Sequence, residues 1–233
     1  MRKGLSQETL KIIACTAMLI DHIGATFVPG YALRIIGRIA FPIYCFLLAE
    51  GVCHTRNPKR YGVRLLIGAL LSEIPFDLLF WGRLTWAHSS VMVTLLLGFG
   101  FAMAQKNVTK LGHKLLLVAP FMLLAELLGT DYGGWGVAMI AMFLLTRNAK
   151  NRFVLQTILL ALLCYEIGGA RIRISGLLVF VEMFALAALV PIFCYSGRKV
   201  SSSRWIQWGF YLFYPVHLTV LLLIVIVRYR YLI

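Results

Sequence analysis

Long apolar runs, separated by short polar and cationic breaks, recur along nearly the whole chain. They cover residues 9–28, 35–52, 61–81, 91–104, 115–128, 135–145, 153–168, 174–194 and 205–227. A helix needs about 20 mostly apolar residues to cross hydrocarbon. The pattern therefore predicts an all-α, polytopic transmembrane helical bundle of about nine spans. The two runs flanking Asp131 are short. Broken or re-entrant segments fit them as well, since such segments are tolerated where they line a cavity. No internal repeat, linker or low-complexity stretch divides residues 1–233, which read as a single membrane domain. The first apolar run contains Asp21 and His22 and lacks a small-residue cleavage signature, so no removable signal peptide is expected.

Composition agrees: 61% of residues are hydrophobic and 14% charged, and the mean hydropathy is +0.85. These values exclude a large water-soluble domain. The net charge of +14, from 23 Lys and Arg against 9 Asp and Glu, would suggest nucleic acid in a soluble protein. In a membrane protein, cationic loops retained in the cytoplasm account for it. Alternate loops differ strongly in charge. One set carries Arg2, Lys3 and Lys11, then Arg56, Lys59, Arg60 and Arg64, then Lys106, Lys110 and Lys114, then Arg147, Lys150 and Arg152, then Arg198, Lys199 and Arg204. The other carries Arg34, Arg38, Arg83, Arg171, Arg173, Arg228 and Arg230. The N-terminus is expected to be cytoplasmic and the C-terminus outside. Cys15, Cys45, Cys53, Cys164 and Cys194 lie in or beside apolar runs without C-x-x-C spacing, so they read as small buried hydrophobes and no metal is expected.

Ionisable groups at membrane depth are costly unless paired or hydrated. Here they are Asp21, His22, Arg38, Glu50, Glu73, Asp77, Glu126, Glu166, Glu182 and His217. His22 suits a general base, with Asp21 bordering the same interhelical cavity; the plainer alternative is a histidine that only hydrogen-bonds helices together. His217 lies in Phe213-Tyr-Pro-Val-His-Leu. Both histidines sit thirteen residues beyond the cytoplasmic ends of their spans, about 20 Å along at 1.5 Å per residue, so they are placed to share one site. Pro215 removes a backbone hydrogen bond and invites a kink there.

Arg34 and Arg38 are four apart and face the same way, toward one anion or carboxylate, or else toward headgroups. Glu50 leads into a loop where Arg56, Lys59, Arg60 and Arg64 suit phosphate groups; on the residues alone, an ordinary positive-inside loop is the favoured explanation. Glu73 and Asp77 flank Pro75 and suit a cation, Arg38 or the outer interface. Asp131 and Tyr132 open a glycine-rich turn. No nucleotide-loop, serine-hydrolase or zinc-protease motif appears.

Taken in order, several blocks resemble the TraX family. They are Met18-Leu-Ile-Asp-His-Ile-Gly, Leu33-Arg-Ile-Ile-Gly-Arg-Ile-Ala-Phe-Pro-Ile with Glu50-Gly51, His54-Thr-Arg-Asn, Ile74-Pro-Phe-Asp, Asp131-Tyr-Gly and Phe213-Tyr-Pro-Val-His-Leu. The resemblance runs from about residue 9 into the last span. It implies a multi-pass protein of the bacterial cytoplasmic (inner) membrane, distantly like transmembrane acyltransferases. Those move an acetyl group from cytoplasmic acetyl-CoA, or another acyl-CoA, to an amine or hydroxyl acceptor. On that likeness His22, Asp21, His217 and Arg38 form the catalytic set, with His217 or Arg38 steadying the oxyanion. Arg56, Lys59, Arg60 and Arg64 hold the CoA phosphates. Arg34, Glu50, Glu73, Asp77, Asp131, Tyr132 and Tyr214 supply substrate or structural polar groups. Acceptor candidates are a pilin N-terminus, a glycan or a lipid; membrane lipids are partners, nucleic acid is not, and the oligomeric state is open. Two other function classes compete. A proton- or cation-coupled transporter would use Asp21, His22, Glu73 and Asp77 as its path, and a non-catalytic envelope-assembly partner would use the buried charges only to join helices.

Overall fold

The structure is a computed structural model in which residues 4–198, 200 and 203–230 are described, the side chains of Arg204, Tyr229 and Arg230 excepted. Arg2, Lys3 and Lys199 of the cationic loops lie outside the described residues. The fold is nearly all-α. Helix α1 (Gln7–Phe27) begins at Ser6, whose hydroxyl accepts the Thr9 N–H at 3.1 Å and so satisfies one orphan amide of the first turn. Its buried residues Leu10, Ala14, Ala17, Met18 and Asp21 repeat at three and four, giving one face toward the interior.

The second apolar run is continuous in sequence but broken in structure, into α2 (Ala32–Gly37) and α3 (Ala40–His54). Pro42 explains the break: it cannot donate to the Arg38 carbonyl four residues back, and its ring crowds that carbonyl. Arg38 and Ile39 keep helical backbone angles, so the break is a local interruption within one 23-residue helical stretch. Gly37 lets α2 lie against α1, since a Cβ there would stand 2.2 Å from the Asp21 side chain.

Helix α4 (Pro58–Phe80) packs on α5 (Val91–Ala104) and on α10 (Arg204–Arg230). Helix α6 (Leu111–Leu127) turns back through residues 128–132 into α7 (Gly133–Leu145), and Glu126 accepts the Gly134 amide at 2.7 Å across that turn. Helix α8 (Arg152–Ile167) packs against α7.

The run at 174–194 is the clear departure from expectation. It is not one helix. A hairpin of β1 (Arg171–Ile174) and β2 (Leu177–Phe180) pairs Arg171 with Phe180 and Ile174 with Leu177. Its two-residue loop, Ser175 and Gly176, has φ of 48° and 89°, the mirror-image turn that suits a twisted hairpin. A 3₁₀ helix (Val181–Ala188) and the short α9 (Leu189–Phe193) follow. A 3₁₀ stretch rises about 2.0 Å per residue against 1.5 Å for an α-helix, so these thirteen residues extend roughly 23 Å. They run from beside the C-terminal half of α1 to Tyr195, which bridges Leu5 at its N-terminal end.

Among the described residues three helical stretches are long and apolar enough to cross a membrane: Gln7–Phe27, Ala32–His54 and Trp205–Arg228. The others are shorter or more polar, so about nine apolar segments are present without each being a clear span. Leu66, Leu70, Leu71 and Ile74 on α4 and Leu116, Leu123 and Leu127 on α6 are exposed. Exposed apolar faces of that kind match lipid better than water.

Candidate functional site

Two cavities lie back to back along α1. The first, of about 600 Å³, opens near the N-terminal end of α1 and is walled by Leu47, Leu48, Leu65, Met92 and Leu95, with Lys11, His54, Arg56 and Arg64 among its polar groups. The second, of about 560 Å³, lies toward the other end and holds Asp21, His22, Arg34, Arg38, Asp131, Tyr132 and Glu182. Met18, Tyr44 and Val91 line both, so one layer of side chains separates them. The Tyr44 hydroxyl donates to Cys15 Sγ at 3.1 Å, which holds this ring in the wall.

His22 stands on the second cavity's side of that wall and Tyr214 on the first cavity's side, their rings edge-to-face at 5.9 Å. His22 Nδ1 lies 2.7 Å from His217 Nε2. The two rings are nearly parallel, at 9°, and their centroids are 5.0 Å apart. That separation exceeds the nitrogen distance by about two ring radii, so both nitrogens lie near the line of centres, as an in-line hydrogen bond requires. His217 Nδ1 is 2.7 Å from the Phe213 carbonyl. A carbonyl only accepts, so His217 Nδ1 carries the proton and Nε2 is the acceptor. His22 Nδ1 must then donate, which leaves the His22 Nε2 lone pair as the basic position.

Beside this pair runs a buried ionic chain. Asp21 takes Arg34 Nη1 at 2.5 Å on one oxygen and Arg38 Nη2 at 2.7 Å on the other. Arg38 Nη1 reaches Glu182 at 3.0 Å and the Tyr132 hydroxyl at 3.4 Å. Tyr132 itself stacks on Phe41, with ring centroids 3.7 Å apart. The side chains of Asp21 and Glu182 are 8% and 4% exposed, so these pairs are worth most as mutual neutralisation: removing Arg38 strands Glu182, and removing Asp21 strands Arg34.

The matching comparisons bear on what this arrangement belongs to. The family model described as "TraX protein" matches residues 6–225. The chain belongs to the TraX family. Among curated proteins, this TraX chain is 29% identical to the "Probable fimbrial assembly protein FimC, serogroup H1" of Dichelobacter nodosus, covering 91% of the chain and 92% of that protein. It is 24% identical to the uncharacterized protein RP591 of Rickettsia prowazekii (strain Madrid E), covering 97% of the chain and 94% of that protein. No solved structure matches.

Within this TraX chain the expected site residues separate into three groups. Asp21, His22, Arg34, Arg38, Asp131 and Tyr132 meet at the second cavity, and His217 joins them through His22. Arg56 and Arg64 line the first cavity, whereas Lys59 and Arg60 are exposed on the first turn of α4 and do not. Arg64 also lies over the rings of Tyr61 and Tyr211, at 5.8 and 5.2 Å, and bonds Gln207 at 3.4 Å.

Glu50, Glu73 and Asp77 stand apart from both groups. Glu50 accepts Arg147 Nε at 2.6 Å. Neither Glu73 nor Asp77 holds Arg38. Glu73 accepts the Ser90 amide at 3.1 Å and Asp77 the Thr85 amide at 2.8 Å, so both pin the loop before α5. The partner that Arg38 finds instead is Glu182, 144 residues away, an acid visible in the sequence without any sign of its role. Tyr44 and Val91 carried no signal; Lys11, counted only as a cytoplasmic cation, could have been placed, as it shares a helix face with Gln7 toward the same opening.

Proposed function

We propose that the protein is a membrane-embedded acyltransferase that takes an acyl group, in the simplest case acetyl, from acyl-CoA in the first cavity and delivers it to an amine or hydroxyl in the second. The observation that carries this reading is His22 at a one-residue-thick wall between an apolar, cation-mouthed cavity and an ion-lined one. A volume of about 600 Å³ falls in the roughly 300–1,000 Å³ range of small-molecule sites. Apolar walls suit the slender pantetheine arm, while Lys11, Arg56 and Arg64 suit phosphates. Lys59 and Arg60 are left out of that set, because they do not line the cavity.

His22 Nε2 takes the proton from the acceptor as its nitrogen or oxygen attacks the acyl carbon, and returns that proton to the departing sulfur. The C–S bond breaks, the new C–N or C–O bond forms, and His22 ends neutral. Asp21 and Arg38 keep their places through each other. Arg38 and His217 are both engaged, Arg38 with two carboxylates and His217 with His22 and Phe213, which argues against either one steadying the oxyanion.

In this reading the N-terminus and the first cavity are cytoplasmic, as the excess of Lys and Arg in one set of loops supports. About nine segments then cross or enter the bacterial inner membrane, with 181–193 as a partly 3₁₀ crossing. The relative named as a fimbrial assembly protein supports a surface-polypeptide acceptor ahead of a glycan or lipid. The test is thiol release from acetyl-CoA by the protein in nanodiscs, wild type beside His22→Ala. Turnover is expected in the wild type and a loss of about 10²-fold to 10⁴-fold in the variant at unchanged thermal midpoint. Equal turnover in both would remove His22 from the chemistry, and absence of binding and turnover in the wild type would move the ion-path reading to first place.

A further inference from the structure

Helix α8 ends at Gly168 and Gly169, whose φ of 65° and 87° lie in the left-handed region that glycine tolerates, so the chain can leave the helix and enter the β1–β2 hairpin. Gly168, Gly169 and Ala170 also line the second cavity, and the hairpin therefore stands on its rim. Cross-strand pairing sets Arg171 opposite Phe180 and Arg173 opposite Leu178, which puts these four side chains on one face. On that face the Arg171 guanidinium lies over the Phe180 ring at 4.4 Å, and the same ring meets Tyr165 of α8 at 5.6 Å, nearly perpendicular. Tyr165 closes an exposed apolar row along α8, Ile158, Leu162 and Tyr165, spaced by four and three.

Like the exposed leucines of α4 and α6, this row faces lipid. It ends in tyrosine, a residue that favours the level where hydrocarbon gives way to headgroups. Just beyond stand Arg171 and Arg173, both exposed; among the described residues no carboxylate pairs with either. Leu178 beside them is exposed as well. In water such a face would add nothing to a two-stranded hairpin, which is marginal by itself. At a membrane surface, apolar bodies with cationic heads are the favoured composition.

We propose that this face is a phospholipid headgroup site, in which Arg171 and Arg173 hold the phosphate of a bilayer lipid at the end of α8 while Leu178 and Phe180 meet its upper chain. The planar guanidinium matches phosphate oxygens, and stacking on Phe180 keeps one of the two in place. The occupant is a lipid of the surrounding bilayer, because the Tyr165–Phe180 contact joins the face to the lipid-facing row of α8. The rim of the second cavity then lies at headgroup level, and a reactant enters that cavity from the membrane surface. This holds whether or not the cavity takes part in acyl transfer.

The test is a spin label at Leu178→Cys, with Cys53→Ser and Cys194→Ser to remove the exposed thiols, in vesicles of phosphatidylcholine and phosphatidylglycerol. A second label at Ile158→Cys reports the helix row. Both labels are expected to collide more often with oxygen, which concentrates in hydrocarbon, than with a water-soluble nickel chelate. Arg171→Glu with Arg173→Glu should reverse that preference at 178 and leave it unchanged at 158. Nickel preference at 178 with oxygen preference at 158 would overturn the proposal, and so would a label at 178 indifferent to the charge reversal. Nickel preference at both would remove the lipid-facing row and the headgroup site with it. The first comparison needs no arginine variant, so it decides even where the double change fails to fold.

Discussion

The two cavities are almost equal in size and opposite in chemistry. Among the described residues no carboxylate lines the first: its charges are Lys11, Arg56 and Arg64, set among leucines and aromatic rings. The second gathers Asp21, Asp131 and Glu182 with Arg34 and Arg38, and most of these charges neutralise one another. An opening with cations of one sign attracts an anion and tolerates being reshaped. A closed ionic chain instead fixes geometry and is intolerant of loss, since each missing partner leaves a charge without water. The difference separates a cavity built to bind from a cavity built to hold a reacting group still.

Substitutions can break that contrast. The largest effect on stability is expected from Arg38→Ala, which strands Glu182 and leaves Asp21 with Arg34 alone. A loss of about 3–5 kcal/mol should appear in thermal or denaturant unfolding. In the other cavity Arg64→Ala should cost less stability than that, through its contacts with Tyr61, Tyr211 and Gln207, and raise KM for acetyl-CoA by roughly tenfold or more, the worth of a charge-assisted contact, with kcat kept. That KM effect should shrink with added salt, since the mouth is open to solvent. The smallest effect sharpens the boundary of the site: Lys59→Ala with Arg60→Ala should change KM by no more than about twofold, as exposed charges off the cavity lining contribute little. An equal KM effect from both sets would mean that the whole basic loop, and not this opening, attracts the ligand.

What could be read from the chain follows the range of each interaction. Helix positions came from local apolar runs, and α5 occupies the stretch expected for it, residues 91–104. The equal depth of His22 and His217 was countable along two helices, and the four-residue spacing of Arg34 and Arg38 put both on one carboxylate, Asp21. The hairpin was missed although alternating Arg171-Ile-Arg-Ile followed by Ser175-Gly176 carries its signal, because the surrounding apolar content outweighed it. Glu182 as the partner of Arg38 lies beyond reading: 144 positions separate them, and no local pattern encodes such a meeting.

The most direct measurement is a sided one. Protein is placed in proteoliposomes with the N-terminal end of α1 facing outward, acetyl-CoA is added to one compartment and a primary amine acceptor to the other, and free thiol and acetylated amine are followed. Product is expected only when acetyl-CoA shares a compartment with the N-terminal end of α1 and the amine lies across the bilayer. Turnover with both reactants confined to either single side, and none across the membrane, would contradict a donor cavity and an acceptor cavity that meet at His22.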